Sequence, residues 1–539
     1  ISLAKENNLF PSLLNEDIAF THSREVEGLT KMRSVGGISL ALVVACLLQL
    51  AGCAAPERPF NVLFIVVDDL RPEFNVTYGH EYMHTPNLDA LAAQSMVFDR
   101  AYCQEAVCAP SRNSFMSGRR PDTTKAWNFI DHFREPGVGA DWVSLPQYFK
   151  NHGYYTWGGG KLYHPNLPPK NDEPLSWSQE IPYFPLTDEP CPKGTKTPFC
   201  SIDAPLDSFF DHRLSEHTIG LLEAAALNYT DKPFFIGAGF RRPHVSWRAP
   251  PRFFDLYNAS MIATATHPTA PSGMPDIAFT TEGAADIHHW PRAYGPNDPE
   301  PHDSQQLLRQ GYYAAVSFVD EQIGAVLKAL DHYGLSNNTI VSLNGDHGWQ
   351  LGEHGEWAKH TNFELAARVP MMVRVPSKPQ TAGKRSSAIV ELIDMYPTLA
   401  ELAGLPTPPD LNGTSFAPYF DNHTMPSLKD AAFFQFPRCP KNLSRMWDEN
   451  ICLSVPRTEF YSMGYSVRTT QYRYTEWLKW NGTRLHGEWS DVVGVELYDH
   501  AGDTGTDFNA FENENLAAEP SMQAVVKEMH ALLVKNYGE

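Results

Sequence analysis

A cysteine leading directly into a proline and an arginine, Cys108-Ala109-Pro110-Ser111-Arg112, is the most informative stretch of this chain. It continues through Gly118-Arg119-Arg120-Pro121, and Gly153-Tyr154 and Gly160-Lys161-Leu162-Tyr163-His164 follow downstream. Taken alone, the pattern fits a reactive cysteine beside a fixed cation and a structural thiol equally well. Asp68-Asp69 and Asp346-His347 each close an apolar run. One acidic pair by itself reads equally as a turn or a helix cap. A second acidic strand end, at Asp346, argues against that bland reading. Single histidines and lysines, His244 and Lys359 among them, are ordinarily surface groups and carry no role by themselves.

Such residues need a scaffold that brings distant stretches together. Asn61–Val67 (NVLFIVV) is a continuous apolar run rich in β-branched residues, the pattern of a strand buried on both faces of a parallel sheet. Thr339–Leu343, Pro233–Ala238 and Val369–Val375 read the same way, with helical patterns at Asn87–Ser95, Glu216–Asn228 and Gln305–His332. Strands alternating with helices predict a mostly parallel sheet covered on both faces. The polar clusters then fall at carboxyl ends of strands, where open α/β sheets hold ligands. From about Thr458 the texture becomes short β-type runs, Tyr461–Thr469, Tyr472–Trp477 and Glu496–Tyr498, closed by an amphipathic helix over Ser521–Asn536. The expected division is a catalytic domain over 56–457 and a smaller antiparallel-sheet-plus-helix subdomain over 458–539.

Composition bounds the function. A net charge of −20 argues against nucleic acid, whose partners carry a basic footprint. Met32-Arg33, the apolar run Ile38–Ala51 and small residues to Ala55 make a secretory signal over 32–55, with 1–31 read as an upstream extension. The run is shorter than the roughly 20 residues of a membrane span, and no other apolar stretch is long enough for one, so no span is expected in the mature chain. Asn-X-Ser/Thr occurs at Asn75, Asn228, Asn258, Asn337, Asn412, Asn422, Asn442 and Asn481. That exceeds the roughly three expected by chance, and each is a glycan acceptor if it lies on the surface of a secreted chain. Cys191 with Cys200 and Cys439 with Cys452 form two local pairs fit for an oxidising compartment. Cys103 and Cys108 remain, as a third disulfide, as buried thiols, or, for Cys108, as a reactive group.

The Cys-X-Pro-Ser-Arg stretch resembles the first signature of the formylglycine-dependent sulfatase family, and Gly153-Tyr154 through His164 looks like its second. The resemblance runs from about Pro59 to Leu516. Within the family the chain is most similar to the iduronate-type branch. Val66-Val67-Asp68-Asp69-Leu70-Arg71-Pro72, Gly118-Arg119-Arg120-Pro121-Asp122-Thr123-Thr124, Asp346-His347-Gly348-Trp349 with Leu351 to Lys359, and Met463 to Thr469 carry that likeness.

The resemblance implies an alkaline-phosphatase-like α/β fold, with a mostly parallel sheet sandwiched by helices. It implies that a formylglycine-generating enzyme oxidises Cys108 during maturation. One hydroxyl of the hydrated aldehyde would attack sulfur, and loss of a proton from the other would expel sulfate, splitting one hard step into two. Asp68, Asp69, Asp346 and His347, with the modified Cys108, are the implied ligands of one divalent cation, Ca²⁺ in the family. Arg112, Lys161 and Lys359 are implied to stabilise charge on the sulfate. His164 would assist proton removal from the hydrate, and His244, with Lys359, would protonate the leaving alcohol. Trp349 and Lys359 are the implied substrate contacts, and Arg468 is a further candidate to reach a substrate carboxylate.

The expected activity is removal of 2-O-sulfate from iduronate-type residues at chain ends of glycosaminoglycan-like polymers, in a lysosomal or secreted enzyme. His360 and Ala126-Trp127-Asn128 depart from the branch's pattern at the expected substrate rim. A sulfatase for another glycan, a phosphate or phosphonate monoesterase of the same fold, and a glycan-binding relative without catalysis are the alternatives.

Overall fold

The computed structural model describes residues 59–187, 189–281 and 295–538. The expected upstream extension and signal segment lie outside the described residues. Twelve strands carry the architecture: β1 Asn61–Val67, β2 Met96–Tyr102, β3 Tyr155–Gly160, β4 Phe184–Pro185, β5 Phe234–Phe240, β6 Thr339–Gly345, β7 Arg368–Arg374, β8 Lys384–Glu391, β9 Ala432–Arg438, β10 Ser462–Arg468, β11 Tyr472–Asn481 and β12 His486–Asp499. The first eight form one sheet in the order β8-β2-β7-β6-β1-β5-β3-β4. Every pairing in it is parallel except those of β7, which runs against both β2 and β6. The register of β7 on β2 slips between Val369 and Met371. Pro370 sits at that slip, where a missing N–H breaks the ladder.

The apolar run of β1 is continuous because both of its faces are interior. Val62, Phe64 and Val66 enter one core, beneath helices α1 (Cys108–Ser117) and α4 (Met395–Leu402). Leu63, Ile65 and Val67 enter the other, beneath α2 (Phe210–Leu227) and α3 (His302–His332). Fully burying such a side chain is worth about 1.5–3 kcal/mol, so this strand anchors both layers. Helix α2 begins six residues before the predicted start. Its first turn is polar in sequence, but Glu189 accepts from the Phe210 N–H (2.6 Å) and Asp211 is buried, accepting from the Arg241 N–H (2.6 Å).

The C-terminal sheet is antiparallel in the order β9-β10-β11-β12, with helix α5 (Gln523–Tyr537) laid on it through Met529, Leu533 and Tyr537. Its first strand, β9, precedes position 458, so the subdomain begins earlier than the sequence texture indicates. The Cys191–Cys200 and Cys439–Cys452 disulfides are formed, whereas Cys103 and Cys108 are free and buried. A disulfide between Cys103 and Cys108 is thereby excluded. Among the described residues, no helix is long and apolar enough to cross a membrane.

Candidate active site

Four neighbouring parallel strands, β6, β1, β5 and β3, deliver their carboxyl ends to one place. Past β1 come Asp68 and Asp69, past β6 Asp346 and His347, past β3 Lys161, and past β5 the turn that carries His244. Helix α1 brings Cys108, in its first turn, to the same place. This helix is polar yet entirely buried. It tolerates burial because its polar side chains bond within it: Asn113 donates to the Ala109 carbonyl (2.8 Å) and Ser117 to that of Asn113 (2.6 Å).

Cys108 Sγ lies 3.3 Å from Asp68 Oδ1, 3.3 Å from each of the Lys161 and Lys359 ammoniums, and 3.5 Å from His347 Nε2. Arg112, one helical turn along α1, spans Asp346 Oδ2 (3.0 Å) and Asp68 Oδ1 (3.3 Å), so one guanidinium ties β1 to β6. Lys161 pairs with Asp68, and Lys359 with Asp69 (2.5 Å). The His347 ring donates from Nδ1 to the Gly348 carbonyl (3.0 Å) and turns Nε2 toward the carboxylates. That is how second contacts orient a metal-ligating imidazole.

Burial alone would raise every acid here. At Asp68, Lys161, His244, Arg112 and Lys359 outweigh burial and hold the carboxyl well below its usual range. At Asp69, burial wins over Lys359, reinforced by Asp68 and Cys108, and the carboxyl is pushed up to about 8. Burial and Asp68 oppose ionisation of the Cys108 thiol, but Lys161 and Lys359 prevail and lower it. His347 is raised, Asp346 overcoming burial. Burial and nearby Lys161 keep His164 (about 3) and His244 neutral.

These residues fit a divalent cation. One ligand atom each from Asp68, Cys108, Asp346 and His347 lies within 4.8 Å of the others, the spread of donors about 2.3–2.6 Å from a common hard cation. Asp69 Oδ2 is buried with no hydrogen-bond partner, a cost of roughly 1–3 kcal/mol that a bound cation would remove.

A pocket of about 350 Å³ opens over Cys108, walled by His164, His244, Lys359, His360, Phe129 and Leu453. The Phe129 ring stacks on His164 at 4.4 Å, and its N–H donates to the Leu453 carbonyl (2.9 Å). Sequence reasoning missed Phe129, Leu453 and Pro190 on this wall. The only sequence signal for the last two is that each adjoins a disulfide cysteine, Cys191 or Cys452.

Three expected rim residues lie elsewhere. Trp349 is fully buried, stacked on Tyr312 and edge-on to Trp247, 5.3 Å beneath the Lys359 ammonium. It props that lysine and is not on the pocket wall. Arg468 is buried against Glu364 (2.8 Å) and Asp503 (3.6 Å), protein carboxylates that already satisfy its charge. Trp127 is buried against Phe460 and Trp480 of the C-terminal layer, so the departure at 126–128 lies behind the rim. His360, by contrast, is on the wall.

A central sheet of this order, with acidic strand ends facing a cysteine on a buried helix, defines an alkaline-phosphatase-like hydrolase. Residues 60–405 match the sulfatase family model, and the chain belongs to the sulfatase family of sulfuric ester hydrolases. Iduronate 2-sulfatase of Homo sapiens is 34% identical over 541 residues, covering 88% of this chain and 96% of its own. The Mus musculus iduronate 2-sulfatase is 34% identical over 514 residues, covering 84% and 91%. Among solved structures, a phosphonate monoester hydrolase from Silicibacter pomeroyi shares the fold, with TM-score 0.69 over 88% of this chain and 95% of its own, at 19% identity.

Proposed function

We propose that this sulfatase removes the 2-O-sulfate of iduronate-type residues at the ends of glycosaminoglycan-like chains, using Ca²⁺ and a formylglycine made from Cys108. The observation that carries the reading is Cys108 itself: a buried, free cysteine within 3.5 Å of two lysines, an aspartate and a histidine, at the start of the helix that bears Arg112. Identity to iduronate 2-sulfatases along nearly the whole chain supports the sugar. A pocket near the small end of the roughly 300–1,000 Å³ range supports one terminal sugar rather than a threaded polymer.

Asp68, Asp69, Asp346 and His347, with residue 108, would hold the cation. When bound, the cation screens the ester's negative charge while the hydrated aldehyde at 108 supplies the nucleophile. Arg112 fixes the Asp68 and Asp346 carboxylates in one orientation. Lys161 and Lys359 hold positive charge at the nucleophile, in a site with little water to weaken it. Neutral His164 has a ring nitrogen able to accept a proton. His244 donates from Nδ1 to the Val245 carbonyl (2.6 Å), which leaves Nε2 toward the pocket. An anionic ester beside that nitrogen favours its protonated form, which, with the Lys359 ammonium, can serve the leaving oxygen. The eight sequons and two formed disulfides support passage through the secretory route to a lysosome or the exterior.

Mass spectrometry of the tryptic peptide containing residue 108, from active protein, tests the nucleophile: an unmodified thiol refutes it. Sulfate release from a 2-sulfated iduronate disaccharide, but not from 6-O-sulfated glucosamine, tests the sugar, and equal release from both removes the iduronate assignment.

A further inference from the structure

Between β2 and helix α1 the chain crosses five residues, Cys103 to Val107, that are gripped by three distant elements. The Cys103 N–H donates to the Ala367 carbonyl just before β7 (2.9 Å), and the Gln435 N–H of β9 to the Gln104 carbonyl (2.9 Å). The His360 N–H donates to the Ala106 carbonyl (3.1 Å). His360 is on the wall of the active-site pocket, and Cys108 follows Val107 directly. The segment therefore sets both the nucleophile and a stretch of wall.

At its centre is Glu105, which has no solvent exposure. Among the described residues neither of its carboxyl oxygens has a hydrogen-bond partner. The titratable groups that face it are Asp122 on the short helix Pro121–Thr124, Cys103 on its own segment and Tyr537 on α5. β9 brings the neutral Gln435, whose Nε2 donates to Asp122 (2.8 Å). Lys125 and His486 face Asp122, and Arg120 pairs with Glu391 (2.7 Å), so among the described residues no cation answers Glu105. Burial strongly opposes a lone carboxylate unless a partner offsets it. Burial first, and then Asp122, holds this carboxyl well above its usual range. The folded segment thus keeps a proton that the unfolded one releases above 4.5, so its stability falls as pH rises from there toward the folded value.

We propose that Glu105 is a positioning residue for sulfate release. While its carboxyl is uncharged, segment 103–107 stays seated on β9 and holds Cys108 and His360 in place. Once that proton passes to water, the segment lifts and the site loosens. β9 and α5 thereby serve the reaction from outside the pocket, by closing over Glu105. The inference rests on residue 108 being the nucleophile, as proposed above, and is indifferent to which sugar is bound.

The test uses the full Ca²⁺-loaded chain as wild type, as Glu105→Gln, which cannot ionise, and as Glu105→Asp, which can. Amide exchange over 103–107, corrected for its chemical dependence on pH, measures opening of the segment. Between pH 5 and 7, opening is expected to grow about tenfold more per pH unit in wild type and Glu105→Asp than in Glu105→Gln. The kcat/KM of Glu105→Gln relative to wild type is expected to rise about twofold or more from pH 5 to 7.5, whereas that of Glu105→Asp keeps a constant ratio. Parallel exchange profiles in wild type and Glu105→Gln overturn the inference. So does a kcat/KM ratio lowered by the same factor at every pH, the mark of packing alone. A divalent ion between Glu105 and Asp122, seen as anomalous density in crystals grown with Mn²⁺, also overturns it, because the carboxyl would then be charged and paired. If Glu105→Gln does not fold, the wild-type profile decides: opening that is flat from pH 5 to 7 overturns the inference, and opening that rises in wild type and Glu105→Asp alike supports it. Failure of the nucleophile reading shows separately, as an unmodified thiol at 108, and leaves the exchange result to stand.

Discussion

Glu353→Gln is the most searching perturbation of the scaffold behind the site. The Glu353 carboxylate is buried and accepts from Arg71 Nη1 (3.1 Å), Arg309 Nη2 (3.0 Å) and the Leu351 N–H (2.6 Å). Arg71 follows the aspartate loop and Arg309 lies on α3, so Glu353 joins that loop, a helix and the 350s segment. Burial would raise this carboxyl, but the two arginines pull it from 4.5 to about 2. A folded value below the unfolded one means stability that is fully present above pH 4.5 and lost as pH falls through 2. The gap corresponds to about 3 kcal/mol at pH 7 and about 1.5 kcal/mol at pH 3. The amide keeps the shape but leaves two buried guanidiniums facing a neutral group, which independently costs about 3–5 kcal/mol. Urea unfolding followed by tryptophan fluorescence should show the variant's midpoint lowered by about 1 M at pH 7, for a slope of about 3 kcal/mol/M. At pH 3 the difference should shrink to about half, since the carboxyl of the unfolded chain is by then protonated and unfolding takes up a proton. Equal midpoints at pH 7, or a difference of the same size at both pH values, would refute the ionic account.

Three further outcomes follow from the geometry of the site and its wall. Chelation should abolish sulfate release and Ca²⁺ should restore it. Asp346→Asn should weaken Ca²⁺ binding measured by calorimetry by at least about tenfold, because it removes charge from the donor set and from the Arg112 clamp. Cys439→Ser with Cys452→Ser opens a loop of sequence separation 13, costing about 3 kcal/mol by loop entropy. Because Leu453 adjoins this bridge and bonds Phe129 on the pocket wall, KM should rise more than kcat falls; a pure loss of kcat would detach the bridge from the pocket.

The strands that end at the site were readable because burial on both faces leaves an unbroken apolar run. Asn61–Val67 has those same bounds in the structure, and the runs ending at Asp346 and near His244 differ by only a few residues. Cys108, Arg112, Lys161, Asp346 and His347 were found through their motifs, and the structure brings them together with Asp68, Asp69 and Lys359. Helix α1 was not legible. Cys-Ala-Pro-Ser-Arg-Asn-Ser has no apolar period, because every face of that helix is interior and its polar groups are satisfied locally or by strand ends far along the chain. Trp349, Trp127 and Arg468 were misplaced for a related reason: a tryptophan or arginine near a motif carries no sign of whether it faces a ligand or its own core. The pocket wall was invisible because Phe129, Pro190 and Leu453 have no chemistry of their own, and only the fold makes them neighbours.

The burial of Cys108 also sets a clock. Its surroundings are completed by Asp346, His347 and Lys359, which are synthesised long after it. Roughly 240 residues separate Cys108 from His347, so at about 5–20 residues per second the ribosome needs on the order of 10–50 s to supply the partners that enclose the thiol. During that interval the segment around Cys108 has no acidic strand end to dock against and stays open to whatever acts on it in the nascent chain. After β6 pairs with β1, any agent that must grip residues on both sides of Cys108 meets a helix with no exposed face. Slowing translation between β3 and β6 would lengthen this interval, and so raise the fraction of molecules altered at position 108, without changing the final fold.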